Sequence, residues 1–218
     1  LVGSEMCIRD RAMTYGEYMK GVVQGEKNIL FVNMAWGLGL GIIIDGNLYY
    51  GKSGFSGELG HFCMFENEVL CHCGKKGCLE TEASGSAFHR ILMERYREGS
   101  NTILAGKLDS GEEISLGDLL EAVRKEDVLC IDILEKMGVN LGKGIAGLMN
   151  IFNPELVILG GTLSLAGEYI SLPIKSAIRK YSLNLVNQDT EIKISKLGER
   201  AGSFGACLLS RSKLLGMI

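Results

Sequence analysis

A chain of 218 residues with 46% hydrophobic side chains can bury a real core, and its length suits one domain plus an appended region. Its formal charge of −3 leaves no electrostatic footprint for nucleic acid, and no apolar run reaches the roughly 18 residues of a membrane span. Seven cysteines without a continuous apolar leader point to a reducing compartment, the cytoplasm, where thiols bind metal or stay free.

Residues 1–11 have neither strand character nor a motif and read as foreign sequence joined to a truncated coding region, with one domain expected over 12–218. Spacing predicts a helix over 12–23, then apolar strands over 28–34 and 40–45, the second ending at the Asp45-Gly46 turn. A short return strand follows at 48–50. Between the first two strands, Ala35-Trp36-Gly37-Leu38-Gly39-Leu40-Gly41 carries alternate glycines that would let backbone N–H groups approach a phosphate. A glycine-rich hairpin relieving crowding has the same signature. Beyond residue 80, helical spacing covers 84–97, with Phe88, Ile91, Leu92 and Tyr96 on one side. Residues 100–113 are polar and read as a surface excursion. Ser115 and Asp118 mark the next helix start, continuing through 116–123. A long helix is expected over 128–152, where Gly138, Gly142, Gly144 and Gly147 permit close packing while weakening helix propensity. Residues 156–159 form a buried strand, Gly160-Gly161-Thr162 a tight turn, and a helix runs on toward Tyr181 with Pro173 as a break or new start. A last strand lies near 191–194, and a helix opens at 202–206. Hairpin strands followed by alternating helix and strand define an α/β fold.

The densest chemistry lies between residues 51 and 80. Cys71, Cys73 and Cys78 with His61 make a complete tetrahedral set for structural Zn2+, leaving no position for a catalytic water. The Cys71-x-Cys73 spacing is tight, but Gly74 and Gly77 supply the backbone freedom to bring Cys78 onto the same ion. His72, between two ligands, is expected to point away as a solvated bystander, and Cys63 is not needed once four donors are in place. Glu58 and Glu80 flank the cluster, so closing it on a metal brings both carboxylates to one locale. Ionised carboxylates accept hydrogen bonds from adjacent hydroxyls, which suits a polyol or pyranose ring. A zinc-bound imidazole leaves its other nitrogen as an oriented N–H donor. Glu58, His61 and Glu80 are therefore the candidate sugar clamp.

The segment from Gly51 to His61, Gly-Lys-Ser-Gly-Phe-Ser-Gly-Glu-Leu-Gly-His, and the run Cys71-His-Cys-Gly-Lys-Lys-Gly-Cys-Leu-Glu80 closely resemble the signature of the ROK family of repressors and sugar kinases. The resemblance runs from about residue 12 to the C-terminus and covers the C-terminal part of such proteins. It implies an actin-like ATPase fold of two RNase H-like domains, of which this chain supplies one with an inserted zinc loop. It also implies zinc on His61, Cys71, Cys73 and Cys78, and sugar contacts from Glu58, His61 and Glu80. Gly37, Gly39 and Gly41 match the family's phosphate loop, and Gly160-Gly161 and Gly202 to Gly205 match turns that line the nucleotide or hinge cleft in the family, a pattern that ordinary strand-to-helix turns share. Two departures stand out. Trp36 occupies the place where family kinases carry a small hydroxyl residue facing the ATP phosphates. Counting back from Gly16-Glu17, the family's catalytic Asp falls on Arg9, which cannot be a base, and Asp10 is one residue out of register.

These features favour a sugar-binding, zinc-containing domain of a transcriptional regulator, with DNA bound only through an N-terminal domain that this chain lacks. The alternatives are a fragment of an ATP- and Mg2+-dependent hexose or N-acetylhexosamine kinase, and a degenerate zinc-binding fragment. A sugar or amino sugar is the expected ligand in either active case, a homo-oligomer is compatible, and no membrane partner is expected.

Overall fold

A computed structural model describes the backbone of residues 4–216 and the side chains of residues 8–216. Its sheet has the order β3-β2-β1-β4-β5. β1 (Ile29–Met34), β2 (Leu38–Ile44) and β3 (Asn47–Leu48) form an antiparallel meander, while β4 (Leu156–Gly160) runs parallel to β1 and β5 (Glu191–Ile194) parallel to β4. Every residue of β1 and β4 is buried, which accounts for their near-continuous apolar sequences. The helices in chain order are α1 (Ser4–Lys20), α2 (Glu80–Ala83), α3 (Gly85–Arg97), α4 (Ala105–Ser110), α5 (Leu116–Arg124), α6 (Val128–Phe152), α7 (Glu168–Tyr181), α8 (Asn184–Asp189) and α9 (Arg200–Leu214).

The strand period of two sorts the core into two layers. Leu30, Val32 and Met34 face a large cluster with α3, α5, α6 and α7, whereas Ile29 and Phe31 face a smaller one with Met13 of α1 and Ala201 of α9. Asn33 shares the parity of Ile29 and Phe31, so it faces α1. The carboxylate of Glu17, fully buried on α1, accepts the Leu197 N–H at 2.7 Å and the Val22 N–H at 3.2 Å. That links α1 to the segment between β5 and α9.

Most expected elements are present, and the departures have physical causes. Helix α1 ends at Lys20, three residues before the expected stop, and extends back to Ser4. The polar stretch 100–113 holds α4, because flanking Leu104 and Ile114 enter the core and Thr102 and the Ile103 N–H both donate to Asp127, the N-cap of α6. Pro173 lies inside α7 without breaking it. Its ring sits over Gly138 of α6, where a Cβ would come within 2.8 Å, so interhelix packing outweighs propensity.

At Gly142 a Cβ would lie 2.6 Å from both the Ala177 Cβ and the Ile174 carbonyl oxygen, whereas at Gly147 it would meet nothing. Gly142→Ala is therefore expected to destabilise the chain by about 1–3 kcal/mol through overpacking. Gly147→Ala should stabilise it by roughly 0.5–1 kcal/mol through helix propensity. Urea denaturation of the pair checks this, and equal effects at the two sites would refute the close-packing role of Gly142.

Candidate functional site

Residues 61–80 fold as a small loop fastened by two backbone bridges, Cys63 opposite Cys78 and Leu70 opposite Lys76. Within it the Cys71 N–H donates to the Lys75 carbonyl at 2.8 Å and the Gly74 N–H to the Cys71 carbonyl at 2.9 Å. Gly74 and Gly77 adopt φ of +85° and +74°, the left-handed turns that return Cys78 toward Cys71. The outcome is one cluster: donor atoms of His61, Cys71, Cys73 and Cys78 all lie within 4.8 Å of one another. Cys73 Sγ and Cys78 Sγ are 3.6 Å apart, as are Cys71 Sγ and His61 Nδ1. Two sulfurs about 2.3 Å from a tetrahedral ion would be separated by about 3.8 Å, so the donor set fits a zinc-sized ion. Burial and the Cys73 and Cys71 sulfurs push the Cys78 thiol up to about 12.

The cluster orients His61. Its Nδ1 faces the thiols, which leaves Nε2 pointing at Glu58 Oε2, 3.6 Å away. Glu80 opens α2 and is 2% exposed; its Oε2 accepts the Leu38 N–H of β2 at 2.8 Å. Its Oε1 faces His72 Nδ1 at 3.2 Å. His72 packs edge-on against His61 with ring centroids 5.5 Å apart, so the residue read as a solvated bystander is a partner of the clamp. Glu58, His61 and Glu80 thus share one neighbourhood. Glu80 and His72 border a recess of about 240 Å3 with Thr81, Ser86 and Arg90, whereas Glu58 borders a separate apolar recess with Leu40, Tyr49, Phe62 and Ile151.

Two polar residues join this neighbourhood from outside the motif. Asp10, set aside on register, is 3% exposed and accepts a 2.7 Å hydrogen bond from Asn33 Nδ2. Burial pushes its carboxyl up to about 6; the Asn33 bond opposes the shift and the charges of Glu58 and Glu80 add to it. Asn33 was legible as the one polar residue in an otherwise apolar strand, and its Oδ1 is buried without a partner. Because the folded pKa of Asp10 lies above its unfolded value, the charged form is disfavoured in the fold. Stability from this group should fall as pH rises from about 4 through about 6. Asp10→Asn is expected to match the parent at pH 4 and to exceed it by about 1–3 kcal/mol at pH 8. Thermal unfolding across that range measures it, and a stability difference that does not change with pH would contradict it.

The candidate nucleotide glycines have space demands of their own. A Cβ at Gly39 would strike Asp10 Oδ2 at 1.8 Å, and one at Gly41 would strike Thr14 Oγ1 at 1.7 Å, so both let α1 lie on β2. At Gly160 the space is taken by the Phe31 ring, and at Gly161, with φ of +81°, by the Met34 carbonyl and Asn33 Oδ1. Gly37 closes the tight turn, its carbonyl accepting the Ala35 N–H at 3.1 Å. The carbonyls of Ala35 and Trp36 accept the Gly85 and Ser86 N–H groups at 2.8 and 3.0 Å. Trp36 is half exposed and tilts against His89, ring centroids 5.9 Å apart. None of the described helices is long and apolar enough to cross a membrane.

Known proteins are similar to this chain in sequence and fold. The chain is 36% identical over 191 residues to a glucokinase from Halalkalibacterium halodurans, covering 87% of this chain and 58% of that protein. A solved ROK family transcriptional regulator, described as a homologue of the E. coli MLC protein, superposes with a TM-score of 0.84 at 34% identity, over 94% of this chain and 50% of that one. A ROK family glucokinase from Streptomyces griseus, solved with glucose and AMPPNP, superposes with a TM-score of 0.82 at 30% identity, over 94% and 67% respectively. The chain therefore spans little more than half of the glucokinase and half of the regulator. The ROK family profile matches residues 7–213, and with the His/Cys cluster, the flanking carboxylates and the mixed sheet in place, the chain belongs to the ROK family.

Proposed function

We propose that this chain is the sugar-binding part of a ROK-type transcriptional regulator, an RNase H-like half of an actin-like pair with a structural zinc loop. His61, Cys71, Cys73 and Cys78 would hold the Zn2+, whose chemistry is to fix the loop. The observation that carries sugar binding is the orientation of His61: with Nδ1 committed to the thiols, Nε2 is left beside Glu58 as a directed donor. Glu58 and Glu80 then accept from ring hydroxyls, Glu80 being held in place by the Leu38 N–H. Sugar binding would bias the conformation of the intact protein, with DNA contacted by a part outside this sequence. The thiol-rich site suits a cytoplasmic location.

Regulator is preferred over kinase because the bulky, half-exposed Trp36 stands in the glycine loop where the family's kinases carry a small hydroxyl residue facing the phosphates. The second reading, an ATP- and Mg2+-dependent kinase for a hexose or N-acetylhexosamine, draws on Asp10. A buried carboxyl near 6 beside Glu58 and Glu80 has the proton affinity of a general base for a sugar hydroxyl. Under that reading Gly37, Gly39, Gly41, Gly160 and Gly161 would line the nucleotide. The glucokinase relatives support it, as the regulator relative supports the first. The test is ADP release by the full chain with ATP, Mg2+ and glucose or N-acetylglucosamine. The regulator reading expects none above buffer; sugar-dependent ADP formation would transfer the site to the kinase reading.

A further inference from the structure

The loop contains a fourth cysteine that the metal cluster does not use. Cys63 is exposed and its thiol donates to the Lys76 carbonyl at 3.4 Å, whereas Cys78, directly opposite, is fully buried. The bridge between them has a particular register. The Met64 N–H donates to the Gly77 carbonyl and the Leu79 N–H to the Phe62 carbonyl, both at 2.8 Å, so Cys63 and Cys78 form the pair that exchanges no hydrogen bonds itself. In such a pair the Cα atoms are about 4.5 Å apart and both Cβ atoms rise from the same face. Disulfides accept Cα separations of about 4.4–6.8 Å, so the backbone is already placed for a cross-strand bond and only the Cys63 side chain must turn.

We propose that Cys63 and Cys78 form a peroxide-sensitive pair that controls metal retention. The proposal rests on zinc binding by His61, Cys71, Cys73 and Cys78. Cys63, outside the donor set and open to solvent, reacts first: its sulfur attacks the peroxide O–O bond, giving a sulfenic acid and one water. The Cys78 sulfur then attacks the sulfenic sulfur, forming the disulfide and releasing a second water. Two thiols are oxidised, one hydrogen peroxide is reduced, and the site loses one of its four donors. Cys73 is also exposed and lies 3.6 Å from Cys78, but as a metal ligand its sulfur is engaged while that of Cys63 is not.

The experiment treats the zinc-loaded full chain with hydrogen peroxide, follows metal release with a chromogenic chelator, and maps disulfides by mass spectrometry. The expected result is a Cys63–Cys78 disulfide appearing together with zinc release, reversed by thiol reductant and added zinc. Cys63→Ser should hold zinc at the parent stoichiometry and release it roughly tenfold or more slowly. A first disulfide between Cys73 and Cys78, or unchanged release in Cys63→Ser, would overturn the proposal. So would loss of zinc from untreated Cys63→Ser, which would make Cys63 a ligand. A parent chain purified without zinc would instead refute the metal reading, and disulfide mapping alone would still decide whether Cys63 and Cys78 pair.

Discussion

Cys73→Ala is expected to leave the chain unable to retain metal, with Zn2+ falling from one per chain to well below one. The loop from 61 to 80 should loosen with it. The reason is the near absence of other support. Between Cys63 and Lys76 the exposed Met64, Leu70 and Cys73 contribute little burial; Phe65 packs only partly against the core, and the buried Cys71 is itself a metal donor. In small sites of this type metal binding is itself folding free energy, on the order of 10 kcal/mol for a complete four-donor set. Elemental analysis gives the stoichiometry, and amide hydrogen exchange over 61–80 gives the loosening. The central strands of the sheet, β1, β2 and β4, should keep their protection. Undiminished zinc in Cys73→Ala would show that the ion is held elsewhere.

Glu80→Gln is expected to keep the fold and the metal while weakening sugar binding by roughly 1.5–3 kcal/mol, the range for a hydrogen bond to a charged group. The substitution is nearly isosteric and retains an acceptor for the Leu38 N–H, so the link between α2 and β2 survives. It removes the negative charge that accepts from hydroxyls and that faces His72 Nδ1. Calorimetric titration with sugar checks the loss, and elemental analysis checks that zinc is unchanged. Equal affinity in the two proteins would remove Glu80 from the clamp.

What could be read in the sequence differs by range. The His61, Cys71, Cys73 and Cys78 set was legible because the ligands fall within 18 positions and their glycines mark the turns. The strands β1 and β4 were legible because burial on both faces leaves unbroken apolar runs. The contact between Asp10 and Asn33 was not, since it joins α1 to β1 across 23 positions and depends on which face of the sheet α1 covers. His72 escaped because the steric rule that turns it from the metal does not say what it turns toward, and the answer, Glu80, is set by the loop closure. The glycines at 39 and 41 illustrate a real ambiguity of pattern. A phosphate loop and a strand that must admit a helix both remove side chains at alternate positions, and only the place of Thr14 and Asp10 separates them. Pro173 was read as a break because local propensity carries no knowledge of Gly138 on the facing helix.

The central claim, that a metal-organised cluster of Glu58, His61 and Glu80 holds a sugar, is tested most directly by an amide NMR titration of the zinc-loaded chain with glucose and N-acetylglucosamine. The Leu38 amide, hydrogen-bonded to Glu80, is the local reporter. The expected result is a saturable shift of the Leu38, His72 and Glu80 amides whose midpoint moves at least about tenfold higher in sugar concentration in Glu80→Gln. Resonances unmoved by both sugars up to about 100 mM, a limit equivalent to only about 1.4 kcal/mol of binding free energy, would contradict it.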